Sequence, residues 1–200
     1  MAKTATRTTS LAVKRATTSR ERFVAMTAKL MSRRGYAGVG LNEIVEKSGA
    51  PKGSLYHHFP EGKEQLAVAA LDWAAACFSA TLTEAIARTG SAADAIGALA
   101  AQVAEWMEAS GCKDGSPLTI VAVETGAFVE PLRLACLRGY QAWADQLADQ
   151  LCRDGKPARE AGDLALWALA SLEGAIVLAR TQHSAEPLRR IGRLLQKTLR

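Results

Sequence analysis

The sequence predicts an all-α protein built from two helical parts. Alanine and leucine are abundant, and apolar residues recur at three- and four-residue spacing along most of the 200 residues. Alternating runs of the kind that form half-buried strands are few. Within residues 41–59, two short segments with helical apolar spacing are joined by a tight turn. These observations favour a three-helix N-terminal domain followed by a larger helical domain.

The N-terminal helices are bounded by capping and turn residues. Ser19 is a plausible N-cap for a helix that runs to Arg34 and is ended by Gly35. A second helix begins near Leu41, and Gly49 supplies the left-handed residue that ends it. Pro51 is predicted to begin a third helix that reaches Phe59, because a proline at the first helical position loses no hydrogen bond. This is the layout of a helix-turn-helix.

The third helix has an outer face suited to DNA. Leu55 and Phe59 are predicted to be buried, which leaves the opposite side of a one-and-a-half-turn helix in solvent. That side is basic, hydroxyl-bearing and aromatic, with Lys52, Ser54, Tyr56 and His57. Such a face fits a major groove better than a protein core, and the pattern predicts DNA binding.

Charge is distributed unevenly along the chain. Residues 1–63 hold twelve Lys or Arg and four acidic residues, a net charge of +8. The remainder holds thirteen basic and sixteen acidic residues, a net charge of −3. A basic segment that coincides with a helix-turn-helix is typical of a nucleic-acid-binding protein that also carries a separate domain with no DNA-binding role.

Several short motifs stand at fixed spacing in the first third of the chain. They are Gly35-Tyr36, Leu41-x-x-Ile44, Gly49-x-x-x-Gly53-Ser-Leu-Tyr-His-His-Phe59 and Lys63-Glu-x-Leu66. Over about residues 20–70 this pattern resembles the DNA-binding domain of TetR-type (tetracycline-repressor-like) regulators. The wording Phe59-Pro-Glu-Gly-Lys-Glu-Gln-Leu66 is similar to the branch of lincomycin-resistance-type (LmrA/YxaF-like) repressors. The resemblance implies an all-helical homodimer that a small molecule in the C-terminal domain releases from its operator.

The candidate DNA contacts combine both arguments. Lys52 lies at the start of the third helix, where base edges and phosphates are reached first. The resemblance implies phosphate contacts for Tyr56, His57 and Lys63. The full predicted set is Asn42, Pro51, Lys52, Gly53, Ser54, Tyr56, His57 and Lys63. Val39 and Gly40 stand where many members of the family carry a Thr/Ser pair, so only backbone N–H groups are expected to act there.

The predicted domains are a flexible basic arm (1–18), a helix-turn-helix domain (19–62) and a helical ligand-binding and dimerisation domain (63–200). In the last, helices are predicted over 63–88, 91–110, 118–126, 131–152, 158–183 and 187–198. The helix over 158–183 is apolar nearly all round, so it needs cover on two sides. We expect the 131–152 and 158–183 helices to form a four-helix dimer interface; the alternative is a central buried helix in a monomer.

An apolar or aromatic ligand is predicted to bind among the helices of residues 64–183. Its candidate lining residues are Trp73, Trp106, Met107, Glu124, Phe128, Trp143, Trp167 and Glu173. The alternative is that the tryptophans are ordinary core or interface residues and that the acids pair with nearby arginines.

Other functional classes find less support in the sequence. No phosphate-binding glycine loop, metal-ligand spacing or nucleophile–histidine–acid pattern is present, so neither an enzyme nor a cofactor is predicted. No apolar run is expected to approach the length needed to span a bilayer, and a cytoplasmic location without a membrane partner is predicted. Two alternatives stay open: a constitutive or protein-regulated DNA-binding protein without an effector, and thiol sensing through Cys112 or Cys152.

Overall fold

The computed structural model describes residues 18–200, and every regular element in that range is an α-helix, which confirms the predicted fold class. The helices are α1 Ser19–Arg34, α2 Leu41–Ser48, α3 Ser54–His58, α4 Lys63–Thr89, α5 Ala92–Ala109, α6 Pro117–Thr125, α7 Glu130–Arg153, α8 Ala158–Gln182 and α9 Glu186–Thr198. The predicted basic arm lies outside the described residues, apart from Thr18.

Helix α1 is capped one residue earlier than predicted. Thr18 is the N-cap: its side chain accepts the Glu21 N–H, and the Glu21 carboxylate accepts the Thr18 N–H in return. This reciprocal capping box satisfies two N–H groups that the helix itself cannot use. Ser19 is therefore the first helical residue, and the prediction that it caps the helix was wrong.

Helix α3 begins later than predicted. The Pro51 carbonyl accepts the Ser54 N–H at 3.0 Å, and the Lys52 carbonyl accepts the Leu55 N–H at 3.3 Å. These bonds span three residues and form a tight turn before the helix proper. Pro51 therefore leads the turn, Gly53 is the N-cap, and the α-helix holds only five residues.

The described chain divides into two compact units. The first holds the residues up to Cys77 together with Ser116–Gly139, and the second holds Phe78–Gly115 and Tyr140–Arg200. Helices α4 and α7 each continue from one unit into the other. Helix α6 belongs to the first unit, with the helix-turn-helix. The domain boundary near residue 62 stays a prediction.

The core of the first unit forms around α1, which packs against α2, α3 and α6. Phe23 from α1 and Ile44 from α2 are fully buried, and Leu55 from α3 is 1% exposed. Leu118 and Val121 supply the apolar side of α6. The predicted burial of Leu55 and Phe59 is confirmed, since Phe59 is also 1% exposed.

The second unit has its own core. Helix α9 packs against α5 and α8 through an apolar stripe that includes Leu188 and Leu195. Ser91 caps α5 as predicted, by accepting the Asp94 N–H. Helix α8 contributes Ala165, Leu172 and Ile176 to this core, while other apolar side chains of the same helix lie exposed.

Two of the helices, α4 and α8, correct a sequence-based expectation. Each is long and apolar enough to cross a membrane by length and composition alone, so the expectation that no apolar run approaches that length was wrong. A core or interface helix of a soluble protein passes the same test, and about a third of each apolar window is buried. The observation is weak evidence for a membrane span.

Gly49 provides a test of the turn between α2 and α3. Its φ of +62° is left-handed, so Gly49→Ala is expected to lower the free energy of unfolding by about 1 kcal/mol. Gly162→Ala is the matched control, because Gly162 lies in α8 and an added Cβ meets nothing within 4 Å. That change should stabilise by about 0.5–1 kcal/mol, since alanine is the better helix former. Urea denaturation measures both; a Gly49→Ala protein as stable as the wild type would contradict the turn assignment.

Candidate nucleic-acid interface

The outer face of α3 is built by the burial of its inner face. Leu55 and Phe59 point into the first unit, and the Arg20 guanidinium lies over the Phe59 ring at 5.5 Å from its centroid. On the opposite side Tyr56 is 61% exposed, and His57 is also exposed. The helix therefore presents an aromatic ring and an imidazole to solvent from a fixed base.

The turn before α3 carries the remaining predicted contacts. Pro51, Lys52 and Gly53 are all exposed, and an added Cβ at Gly53 would meet nothing within 4 Å. The Ser54 hydroxyl donates to the Pro51 carbonyl at 2.7 Å, so it closes the turn. The exposed residues of this segment, Pro51, Lys52, Gly53, Tyr56 and His57, are called the exposed strip of residues 51–57; Ser54 is half-buried and Leu55 is buried. Asn42 is exposed at the start of α2.

Arg22 holds the turn between α2 and α3. Its Nη1 donates to the Gly49 carbonyl at 3.0 Å, across 27 residues of sequence. The structure gives its side chain a contact inside the protein that fixes the position of α3 relative to α1.

One acidic side chain, Glu43, pairs with two of the basic residues near α2. The Glu43 carboxylate contacts both Arg34 and Lys47, the latter at 2.7 Å. Hydrogen bonds from Lys47 and Arg34 lower the pKa of Glu43, although the carboxyl group is open to solvent. Through this ion pair Arg34 joins the end of α1 to α2.

Lys63 lies at the first position of α4, beside the turn that follows α1. Its Nζ stands 4.3 Å from the centroid of the Tyr36 ring. Burial lowers the pKa of Lys63, and the nearby Glu124 charge opposes that effect. The ammonium group is thus held against an aromatic face.

Three of the predicted ligand residues belong to the first unit. Trp73 lines an open groove of about 410 Å³ between α1 and α4, together with Val24, Val68 and Asp72. Glu124 accepts hydrogen bonds from the backbone N–H groups of Tyr36 and Ala37. Phe128 is 87% exposed.

The other five lie in the second unit. Met107 and Trp143 are buried, and Trp143 stacks on Phe78 with ring centroids 4.3 Å apart. Trp106 packs against the core, Glu173 is half-buried, and Trp167 is 43% exposed on α8. Whether these residues and the first three line one ligand site stays a prediction.

The described cysteines are free thiols in different surroundings. Cys112 and Cys136 are buried, Cys77 is partly buried, and Cys152 is exposed. Burial raises the pKa of Cys136 to about 11, which leaves little thiolate at neutral pH. Among residues 18–200, no group of three or more His, Cys, Asp or Glu side chains could hold a metal ion.

An exposed, partly basic helix after a glycine turn, carried by an all-helical chain, defines a helix-turn-helix DNA-binding regulator. The family model for bacterial regulatory proteins of the tetR family matches residues 23–70. A second model, described as the C-terminal domain of LmrA/YxaF-like transcriptional regulators, matches residues 92–194. The chain belongs to the TetR family of transcriptional regulators, in its LmrA/YxaF-like branch.

Individual relatives agree with this assignment. The HTH-type transcriptional regulator LmrA of Bacillus subtilis (strain 168) is 33% identical over 182 residues, which cover 91% of this chain and 97% of that protein. The reduced form of Escherichia coli NemR has a similar fold, with a TM-score of 0.75 and 28% identity, over 90% of this chain and 95% of that one. A TetR regulator from Legionella pneumophila, at 19% identity, shares the fold with a TM-score of 0.82 over 93% of this chain and 100% of that one.

The predicted class is thereby confirmed: the relatives are transcriptional regulators, not enzymes. Membership of this family of bacterial regulators also fits a cytoplasmic location.

Proposed function

We propose that this protein is a homodimeric repressor that a small apolar or aromatic ligand releases from a pseudo-palindromic operator. The observation that carries the proposal is the exposed strip of residues 51–57 in a chain of the TetR family. When bound to its operator, the protein would be associated with the nucleoid.

In this proposal the exposed strip binds DNA, together with neighbouring residues of α2 and α4. Lys52, in the turn that leads α3, would reach base edges or phosphate, and Tyr56 and His57 would contact phosphate. The exposed Pro51 and Gly53 allow the backbone to approach DNA closely, with Ser54 closing the turn. Asn42 and Lys63 flank the strip from the first turns of α2 and α4. Contacts to phosphate position the protein, and contacts to base edges select the sequence.

The exposed side of α8 supports the dimer. Leu166, Trp167, Val177 and Leu178 are between 43% and 63% exposed. The small residues Ala170 and Gly174 lie exposed between them, at the spacing of one helical face. A contiguous apolar face of this kind is uncommon on a soluble monomer and typical of an interface between subunits. A two-fold axis would also present two copies of α3 to successive major grooves.

A ligand site is supported by the groove along α1 and α4. Trp73 and Val68 offer apolar surface there, while Arg20 and Gln65 offer polar groups. Because α1 carries part of the helix-turn-helix core, a ligand in this groove would touch the unit that binds DNA. The alternative is a repressor without a small-molecule effector, which is constitutive or regulated by a protein partner.

Substitutions in the exposed strip test DNA reading. Tyr56→Ala is expected to weaken binding to specific and unrelated duplexes alike, because it removes a phosphate contact. Lys52→Ala is expected to reduce the slope of log affinity against log salt concentration by about 0.9. It should also lower the ratio of operator affinity to affinity for unrelated DNA. Fluorescence anisotropy with DNA that flanks the protein's own coding region measures both effects. Lys197→Ala, an exposed change in α9, is the control; unchanged binding by both α3 variants would show that another surface reads DNA.

A charge on the α8 face tests the dimer. Leu178→Glu is expected to convert the protein to monomers at micromolar concentration, since a carboxylate would have to be buried against apolar side chains. Sedimentation velocity reports the mass. Leu194→Glu is the matched control, because Leu194 is equally exposed (51%) but lies on α9. A wild-type protein that sediments as a monomer would refute the dimer.

Screening of apolar and aromatic compounds tests the effector. At least one compound is expected to raise the melting temperature and also to weaken operator binding by about 5- to 150-fold, the range of ordinary allosteric coupling. Trp73→Ala should abolish both effects, whereas the exposed change Lys197→Ala should keep them. If none of the compounds that stabilise the protein changes its operator affinity, the alternative of a constitutive or protein-regulated repressor would be favoured.

A further inference from the structure

The turn between α1 and α2 is held by a side chain from α6. Glu124 Oε2 accepts the Tyr36 N–H at 2.5 Å, and Oε1 accepts the Ala37 N–H at 2.8 Å. These N–H groups follow the C-terminus of α1, where the backbone turns away with Gly35 at φ +70°. Hydrogen bonds to an ionised carboxylate are about twice as strong as neutral ones, so Glu124 is a firm anchor for this turn.

The close approach depends on Gly35. A Cβ at that position would lie 2.1 Å from Glu124 Oε2 and 3.3 Å from the Ile120 side chain. A glycine is therefore required twice over, by its positive φ and by the carboxylate packed against it. Gly35 is part of the motif that identified the family, but its contact with Glu124 spans almost ninety residues of sequence.

The anchored turn in turn holds Lys63. The Tyr36 ring lies beneath the Lys63 ammonium, and a cation over an aromatic face is attracted to it. Glu124 adds a second attraction, because its charge also acts on the Lys63 ammonium. The ammonium group at the start of α4 is thus positioned by a ring that the carboxylate of Glu124 keeps in place.

We propose that Glu124 is a positioning residue for DNA binding, which holds the Gly35–Ala37 turn and, through Tyr36, the Lys63 ammonium. The inference rests on the proposed phosphate contact of Lys63. It links two segments that match separate family models, since Tyr36 and Lys63 lie within residues 23–70 and Glu124 lies within residues 92–194.

The sign of the effect separates positioning from simple electrostatics. A carboxylate near a DNA-binding surface repels phosphate, so its removal would tighten binding if charge alone mattered. If Glu124 positions Lys63, its removal would weaken DNA binding instead. Without the anchor the turn becomes mobile, and the Lys63 ammonium group is no longer held in one place. The two explanations therefore predict changes of opposite direction for the same substitution.

The experiment compares Glu124→Ala and Glu124→Gln with wild type, by anisotropy on the same DNA and below the melting temperature of every variant. Glu124→Ala is expected to weaken binding about tenfold, which is the low end of the value of one hydrogen bond to a charged group, because the Tyr36 N–H is part-buried and the Ala37 N–H is exposed. Glu124→Gln keeps one acceptor oxygen and should lose about threefold. Glu130→Gln is the matched control, because Glu130 is exposed in the same unit and pairs with its neighbour Arg133; the DNA affinity of this variant should equal that of wild type.

A double-mutant cycle with Lys63→Met adds a readout that a purely structural role would not move. If Glu124 acts through Lys63, the loss caused by Glu124→Gln shrinks when Lys63 is already absent. Fully additive losses, or tighter binding by both Glu124 variants, would overturn the proposal. A wild-type protein that binds no DNA would instead refute the proposed function itself, so the two failures are distinct.

Discussion

Burial of Leu55 and Phe59 is the interaction on which the proposed DNA-binding surface depends. Helix α3 has five residues, too few to be stable in isolation, because nucleation of a helix is not repaid over so short a length. Its stability must come from packing, and both apolar side chains are only 1% exposed. The same packing decides which residues face solvent: once Leu55 and Phe59 point inward, Tyr56 and His57 must point out.

Long-range contacts of charged side chains then fix the elements around α3. Arg22 donates to the Gly49 carbonyl and so ties the turn before α3 to α1. Glu43 joins the end of α1 to α2 through Arg34. Glu124 holds the turn between those helices. Each contact pairs a side chain with a backbone group or charge on another element. Together the three contacts orient α3 and its exposed residues, although α2 and α3 are short helices.

The sequence was sufficient for features that local rules govern. Helical periodicity predicted the helices beyond α3 to within about two residues, and the positive φ of Gly49 follows from its place after Ser48. The Thr18–Glu21 capping box also has a local signature, a threonine followed three residues later by a glutamate, and it places the helix start one residue before the predicted Ser19 cap. The contact of Glu124 with Tyr36 carries no such signal. It joins residues 88 positions apart, and nothing in the neighbourhood of Glu124 distinguishes it from an acid that lines a pocket.

Glu124 also connects the proposed ligand binding with the proposed DNA binding. The sequence suggested this carboxylate as a polar group for a ligand, yet both of its oxygens accept backbone N–H groups. A ligand could use Glu124 only by displacing those bonds, and a hydrogen bond to a charged group is worth about 1.5–3 kcal/mol at most, less here because the Tyr36 N–H is part-buried and the Ala37 N–H is exposed. That cost falls on the Gly35–Ala37 turn, and hence on the arrangement of Tyr36 and Lys63. By linkage, a ligand that competes for Glu124 must weaken whatever DNA affinity the anchored turn supports, and operator binding must weaken such a ligand by the same factor.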